Sequence, residues 1–256
     1  MCVIICCFSK RVSPDELNQA QKTNRDGGGI AWVDADRKRV EFSKGLDAKE
    51  IFELSEKFPF PYIVHFRSGT SGPDTKEMTH PFPISKGVPT MLHGRSRRVL
   101  FHNGIWSNWK HGMQKLVLSR GLRVPDGDWS DTRALAFMVH HVGRGFLNLM
   151  DYDRFAMLSG DGFVRTWGTW TKGDGMYYSN TYWKSSGYTG SCSVGHGAQG
   201  YLGYEDTDEW EYEGKIFKSK NKGGDKKVLK IVDVSKVDPP SKAKPLEQLT
   251  SGQPLD

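Results

Sequence analysis

The 256-residue chain contains 37% hydrophobic and 26% charged residues, which suits one large folded domain and argues against a disordered chain. No apolar run approaches the roughly 18 residues that a membrane span needs. The short apolar start at residues 2–8 has no basic leader and no small-residue cleavage site. These features argue against membrane and secreted proteins and predict a cytoplasmic one.

The net charge of +6 is concentrated near the C-terminal end. Residues 215–256 contain ten lysines against five acidic residues, a net +5 that leaves +1 for the preceding chain. This segment is also rich in proline and has one aromatic residue, so we predict a basic, mobile tail after a domain of residues 2–214. A solvated extension and a basic arm for a partner both fit. Because aromatic residues do not interleave with the basic ones, we expect no nucleic-acid partner.

Strand and helix patterns alternate along the chain. Ser13, Pro14 and Glu16 form a capping-box signature that predicts a helix start. Further helices are predicted at 48–58 and 131–142. Strands are predicted at 2–8, 29–33, 39–42, 62–66, 99–102, 154–158, 163–168 and 176–179, with a further candidate at 228–234. Strands outnumber helices, so we predict an α+β fold with sheets covered by helices.

Four cysteines stand at positions 2, 6, 7 and 192, without a CxxC pair. This spacing suits neither a disulfide framework nor a zinc site, so we predict free thiols. Cys6 and Cys7 fall within a predicted strand and are expected in the core. The histidines show no ligand spacing either, and we expect neither a metal nor another cofactor.

Cys2 is the candidate nucleophile. An initiator methionine is normally removed when a small residue follows it, which would leave Cys2 with a free α-amine. The pKa of an α-amine is about 7.7–8.0 and that of a thiol about 8.5, so the amine can accept the thiol proton at neutral pH. The plainer alternative is a buried cysteine at the start of a strand.

Short motifs follow Cys2 in a fixed order. They are 24–31 (NRDGGGIA), 64–72 (VHFRSGTSG), 79–82 (THPF), 102–105 (HNGI) and 130–132 (SDT). Together with Cys2, this series closely resembles the class II glutamine amidotransferases, which are N-terminal-nucleophile (Ntn) hydrolases. The motifs span about half of the chain.

The resemblance implies a fold and a reaction. The fold is a four-layer αββα sandwich of two antiparallel sheets, covering roughly residues 2–214. In the reaction, the Cys2 thiolate attacks the side-chain amide of glutamine, releases ammonia and leaves a γ-glutamyl thioester, which water hydrolyses.

The resemblance also implies roles for individual residues. Asn103 and Gly104 would donate hydrogen bonds to the oxyanion. Arg67 would bind the substrate α-carboxylate with its planar fork, and Asp131 would bind the α-ammonium group. Each has a plainer interpretation, because Asn-Gly favours hairpin turns, arginine forms surface ion pairs and aspartate favours helix starts.

Three further residues are expected around the substrate. Ser68 and Thr70 lie where the family uses loop hydroxyls and backbone groups, and His80 retains the Thr-His-Pro part of its motif. One departure is Ser71, which stands beside Gly72 where many family members have histidine. We expect this change to alter loop contacts without abolishing activity.

Amidotransferases of this class usually deliver ammonia to a fused second catalytic domain, and the tail predicted here is too short for one. The resemblance therefore implies a stand-alone glutaminase that works with a separate synthetase partner or as a homo-oligomer. Two alternatives stay open at this point. One is a free-standing hydrolase of other γ-glutamyl amides, and the other is a catalytically silent scaffold that binds through its basic tail.

Overall fold

The computed structural model describes residues 2–150 and 152–184, and the backbone of strands at 209–212, 215–220 and 228–233. The helices are α1 (Pro14–Thr23), α2 (Ala48–Ser55), α3 (Trp109–Arg120) and α4 (Asp131–Val142). The strands are β1 (Val3–Cys7), β2 (Gly28–Asp34), β3 (Arg39–Leu46), β4 (Tyr62–Phe66), β5 (Phe82–Pro83), β6 (His93–Ser96), β7 (Arg98–Asn103), β8 (Arg154–Ser159), β9 (Val164–Trp167), β10 (Thr171–Gly173), β11 (Met176–Tyr178), β12 (Glu209–Tyr212), β13 (Lys215–Lys220) and β14 (Val228–Asp233).

Two antiparallel sheets form the centre of the described fold. The larger has seven strands in the order β10-β11-β1-β4-β2-β3-β6, and the smaller has four in the order β5-β7-β8-β9. A third, three-stranded sheet consists of β12, β13 and β14. The domain boundary predicted at residue 214 lies outside the described residues and stays a prediction.

Side-chain alternation in β1 shows how the larger sheet is covered on both faces. Val3, Ile5 and Cys7 pack in a cluster with residues of α1 and α2. The intervening Ile4 and Cys6 pack in a separate cluster with residues of the smaller sheet. Successive strand side chains point to opposite faces, so β1 lies between a helical layer and a second sheet.

The smaller sheet is also covered on both faces, by the larger sheet on one side and by helices on the other. Val99 and Phe101 of β7 face the larger sheet. Leu100 of β7 and Phe155 of β8 pack instead with α3 and α4, which contribute residues such as Leu135. The layers therefore run helix, sheet, sheet, helix, and the predicted α+β four-layer sandwich is confirmed.

The predicted elements match the observed ones closely, with β4 and α4 agreeing at both ends. The capping box of α1 is present, with Ser13 and Glu16 bonding each other's backbone N–H groups. Cys2, Cys6 and Cys7 are free thiols, and the last two are buried as predicted. Cys192 and most of the predicted tail lie outside the described residues. No helix in the described part of the chain is long and apolar enough to cross a membrane.

Candidate active site

The two sheets bring several predicted site residues to the same end of the layer between them. Cys2 precedes β1 and shares the inter-sheet side of Ile4, two residues further on. Arg67 follows β4 on the side of Ile63, and Asn103 ends β7 on the side of Phe101. Strand alternation therefore directs Cys2, Arg67 and Asn103 into one layer.

The Cys2 thiol is held by the backbone of Ser68. Its Sγ accepts a hydrogen bond from the Ser68 N–H at 3.3 Å and donates to the Ser68 carbonyl at 3.5 Å. Burial raises the pKa of the thiol, while the Ser68 N–H and the nearby Arg67 charge act in the opposite direction. The Cys2 carbonyl accepts a 2.8 Å hydrogen bond from the Asn180 side chain.

Asn103 and Gly104 occupy a tightly packed strand end. The buried Asn103 side chain donates through Nδ2 to Ser179 Oγ at 2.8 Å. A Cβ at Gly104 would lie 1.9 Å from Asp153 Oδ1, so a larger residue here would require the Asp153 side chain to move. The pair does not form a hairpin turn, because β7 is antiparallel to β8, which begins at Arg154 after two intervening helices.

Arg67 is buried, yet its guanidinium is already paired. It donates to Asp74 Oδ1 at 2.8 Å and to the carbonyls of Ser71 and Pro73 at 3.1 and 3.3 Å. Asp74 itself is exposed at 62% of its side-chain surface. The predicted carboxylate-binding group therefore holds a carboxylate of its own chain, on the loop that follows β4.

Asp131 is the first residue of α4, after the N-cap Ser130. Its Oδ1 accepts from the Thr132 N–H at 2.7 Å and its Oδ2 from the Trp106 N–H at 3.1 Å. The Asp131 N–H donates to the hydroxyl of Ser71 at 3.2 Å. Asp131 is thus both a helix-start residue and a buried anion beside the loop, and Ser71 makes a contact with it.

Three buried histidines surround this end of the layer. His65 and His80 lie with ring centroids 4.0 Å apart, and neither ring nitrogen of His65 has a hydrogen-bond partner among the described residues. Burial lowers the pKa of His65 to about 3 and that of His80 well below its usual range. His102 lies between Thr132 Oγ1, at 3.0 Å from Nδ1, and Asp153 Oδ2, at 3.3 Å from Nε2.

Seven of the eight predicted site residues line one small pocket: Cys2, Arg67, Ser68, Thr70, His80, Gly104 and Asp131. Asn103 does not line it and instead contacts Ser179. The pocket has a volume of about 20 Å³, room for about one water molecule. A substrate the size of glutamine would therefore require residues that line the pocket to move.

Several residues at the site escaped sequence analysis. Asp74 and Asp153 contact predicted site residues, and Asp26 Oδ2 accepts from the Gly69 N–H at 2.5 Å. Ser179 is the last residue of the predicted strand at 176–179 and Asn180 follows it, and no motif marks either residue. In the part of the chain that the structure describes, no group of three or more histidine, cysteine or acidic side chains is arranged to hold a metal ion.

No protein-family model matches the chain, and no curated protein matches it in sequence. Among solved structures, it is similar to the allosteric regulatory enzyme of purine biosynthesis, with 16% identity and a TM-score of 0.47. It is also similar to a glutamine phosphoribosylpyrophosphate amidotransferase from B. subtilis complexed with ADP and GMP, with 16% identity and a TM-score of 0.44. Each match covers 70% of this chain and 41% of the other.

Proposed function

We propose that the protein is a glutamine amidotransferase-type hydrolase in which Cys2 is the nucleophile. The observation that carries this proposal is the convergence of a thiol, a buried guanidinium and a buried carboxylate on one pocket, at Cys2, Arg67 and Asp131. Four different segments of the sandwich supply the thiol, the two charges and Gly104. Such an arrangement suits a reaction on a small charged molecule more than a purely structural role.

The two fixed charges define the substrate class. Arg67 offers a planar fork for a carboxylate, and Asp131 offers an anion for an ammonium group. A free α-amino acid carries both groups on one carbon, so the pair selects the head of glutamine or of another γ-glutamyl amide. Ser68, Thr70 and His80 would make the remaining contacts with the α-amino acid group and the side chain of the substrate.

The reaction we propose begins when the Cys2 sulfur attacks the δ-carbonyl carbon and the thiol proton passes to the base. Asn103 and the Gly104 N–H would stabilise the oxyanion that forms. Collapse of this intermediate breaks the C–N bond, and the proton leaves with ammonia. Water then cleaves the γ-glutamyl thioester, which yields glutamate and restores the thiol.

The base we propose is the α-amine of Cys2 itself, exposed when Met1 is removed. Burial raises the pKa of the thiol, so it needs a base at neutral pH. Within the described residues, both hydrogen bonds at the Cys2 sulfur run to the Ser68 backbone and none to a histidine. An amine on the same residue supplies that base without another side chain.

We propose that the released ammonia passes to a separate synthetase. The direct test is to incubate the purified protein with glutamine and to measure ammonia and glutamate, with and without candidate partners.

The Cys2→Ala variant should lose at least about 1,000-fold in rate, while Cys6→Ala, which changes a core thiol of the same strand, should retain activity. Mass spectrometry should find Cys2 as the first residue of the active protein.

Three outcomes separate the alternatives. Turnover of other γ-glutamyl amides without turnover of glutamine would favour the free-standing hydrolase. Retention of Met1 in a fully active protein would refute the α-amine as base. Equal activity of the parent and Cys2→Ala, or no activity on any γ-glutamyl compound, would contradict the proposed function.

A further inference from the structure

Ser179 connects the two sheets at the candidate site. Its Oγ accepts a 2.9 Å hydrogen bond from the backbone N–H of Ile4 and a 2.8 Å hydrogen bond from Asn103 Nδ2. Ile4 belongs to the nucleophile's strand in the larger sheet, and Asn103 ends a strand of the smaller sheet. One buried hydroxyl thus bonds the segment that carries Cys2 and the side chain proposed to bind the oxyanion.

The position of Ser179 explains why a hydroxyl is needed there. β11 pairs with β1 up to Tyr178 opposite Ile5, and the Ser179 N–H continues the ladder to the Ile4 carbonyl at 3.0 Å. The Ser179 hydroxyl oxygen accepts the hydrogen bond from the Ile4 N–H, in the place of a backbone carbonyl. A hydroxyl oxygen has two lone pairs, so it accepts from Asn103 as well.

The next residue strengthens the same connection. Asn180 donates from Nδ2 to the Cys2 carbonyl at 2.8 Å. Two consecutive residues therefore fix the backbone on both sides of the strand start, at Cys2 and at Ile4. The hydrogen bond that Asn103 Nδ2 donates to Ser179 Oγ also restricts rotation of the Asn103 amide about its terminal torsion.

We propose that Ser179 is a positioning residue that aims the Asn103 amide at the oxyanion and sets its distance from the Cys2 strand. This inference rests on the proposed function and adds a specific residue to it. A group that must be oriented before reaction contributes mainly in the transition state, because the oxyanion exists only there. Loss of the hydroxyl should therefore lower kcat and leave KM nearly unchanged.

The kinetic test compares Ser179→Ala, Ser179→Thr and the control Ser96→Ala. Ser96 is another buried serine, whose hydroxyl donates to the Arg98 carbonyl at 2.8 Å, away from the pocket. Ser179→Ala should lower kcat about 10- to 100-fold with KM within about twofold, whereas Ser179→Thr should keep most of the activity and Ser96→Ala all of it. Equal kcat for the parent and a folded Ser179→Ala would overturn the proposal.

A double-mutant cycle with Asn103→Ala separates positioning from general loss of structure. If Ser179 acts through Asn103, its removal should change kcat by less than about threefold once the amide is gone. Independent losses that multiply in the double variant would show that Ser179 acts elsewhere and would overturn the proposal. Circular dichroism should show that every variant compared is folded at the assay temperature.

A spectroscopic measurement tests the Ser179–Asn103 contact without an activity assay, so failure of this contact and failure of the proposed function are distinguishable. The side-chain NH₂ group of Asn103 is observable in ¹⁵N-labelled protein and identifiable from its disappearance in Asn103→Ala. Its hydrogen exchange with water should accelerate at least tenfold in Ser179→Ala and stay unchanged in Ser96→Ala. Unchanged exchange in Ser179→Ala would show that Ser179 does not hold the amide.

Discussion

The layer between the two sheets has an apolar end and a polar end, built from the same strands. The apolar end consists of Ile4, Cys6, Ala31, Val40, Phe42, Ile63, Val99, Phe101, Ala156 and Leu158. The polar end continues the same side-chain rows and consists of Cys2, Lys44, His65, Arg67 and Asn103, with His80 inserted from the following loop. The apolar end is fully buried, the polar end is buried except for the half-buried Cys2, and the polar end carries the charged and imidazole side chains.

The difference shows how the sandwich accommodates a site without changing its backbone. Ile63, His65 and Arg67 occupy successive inward positions of one strand and its extension, and the side chains alone change from apolar to charged. The polar end is correspondingly less well satisfied, since both nitrogens of buried His65 lack partners among the described residues. Buried polar groups of this kind lower the free energy of unfolding, and packing at the apolar end must compensate for that loss.

The largest effect is expected from emptying the apolar end. Phe42→Ala removes a side chain that is 2% exposed and should lower the free energy of unfolding by about 3–5 kcal/mol through lost burial and the cavity that remains. Urea denaturation measures this change. Below the unfolding transition, kcat/KM for glutamine should change less than about threefold, and a loss of activity in the folded variant would show that the two ends are not independent.

At the polar end, Arg67→Gln should impair substrate binding more than folding. Hydrogen bonds to charged groups contribute about 1.5–3 kcal/mol each, so kcat/KM should fall about 10- to 150-fold, mainly through KM. Arg95→Gln is the matched control, because Arg95 is an exposed arginine paired with Glu41. Steady-state kinetics of both variants decide the point, and an unchanged KM in Arg67→Gln would exclude the carboxylate role.

Acid should weaken the fold through the polar end. Burial lowers the pKa of His65 to about 3, with smaller contributions from the charges of Arg67 and His102. The folded protein therefore keeps this ring neutral, whereas the unfolded chain protonates it below about pH 6.5. The free energy of unfolding should therefore fall as pH drops from about 6.5 toward 3, by up to about 1.4 kcal/mol per pH unit for His65, and His80 adds to the slope.

Urea denaturation at several pH values between 6 and 5 measures this slope above the range where most carboxylates titrate. His65→Gln should reduce this slope by up to one proton. Equal slopes for the parent and His65→Gln would show that His65 accepts a proton in the folded protein.

The smallest effect is expected at the loop. Under the proposed role of Arg67, Asp74 would compete with the substrate carboxylate for its guanidinium. Asp74 is exposed, and pairs with exposed groups contribute only about 0.2–1 kcal/mol. Asp74→Asn should therefore lower KM for glutamine by up to about fivefold. Asp34→Asn, which breaks a surface pair with Arg37, is the control. A higher KM in Asp74→Asn would show that Asp74 helps to bind substrate.

Local signals explain which elements could be predicted. The capping box at Ser13 predicted α1, and the helix start at Ser130-Asp131 predicted α4. The run of aromatic and β-branched residues at Tyr62–Phe66 predicted β4. α3 was missed because a glycine at position 112 interrupts the helix pattern. Its formation depends on packing of Trp109, Met113 and Leu116 in the helix-side core.

The strand and helix patterns of the sequence predicted sheets covered by helices, because such patterns are local properties of the chain. The order of its short motifs, through the family resemblance, implied the four layers and the candidate site residues. Only the tertiary structure decided which groups those residues meet. It paired Arg67 with Asp74, placed Asp153 against Gly104 and brought Ser179 to Asn103, contacts between segments up to 76 residues apart. The Ser179–Asn103 contact depends on how the two sheets stack, and the other two depend on how the chain folds beside the strand ends, so no short stretch of sequence encodes them.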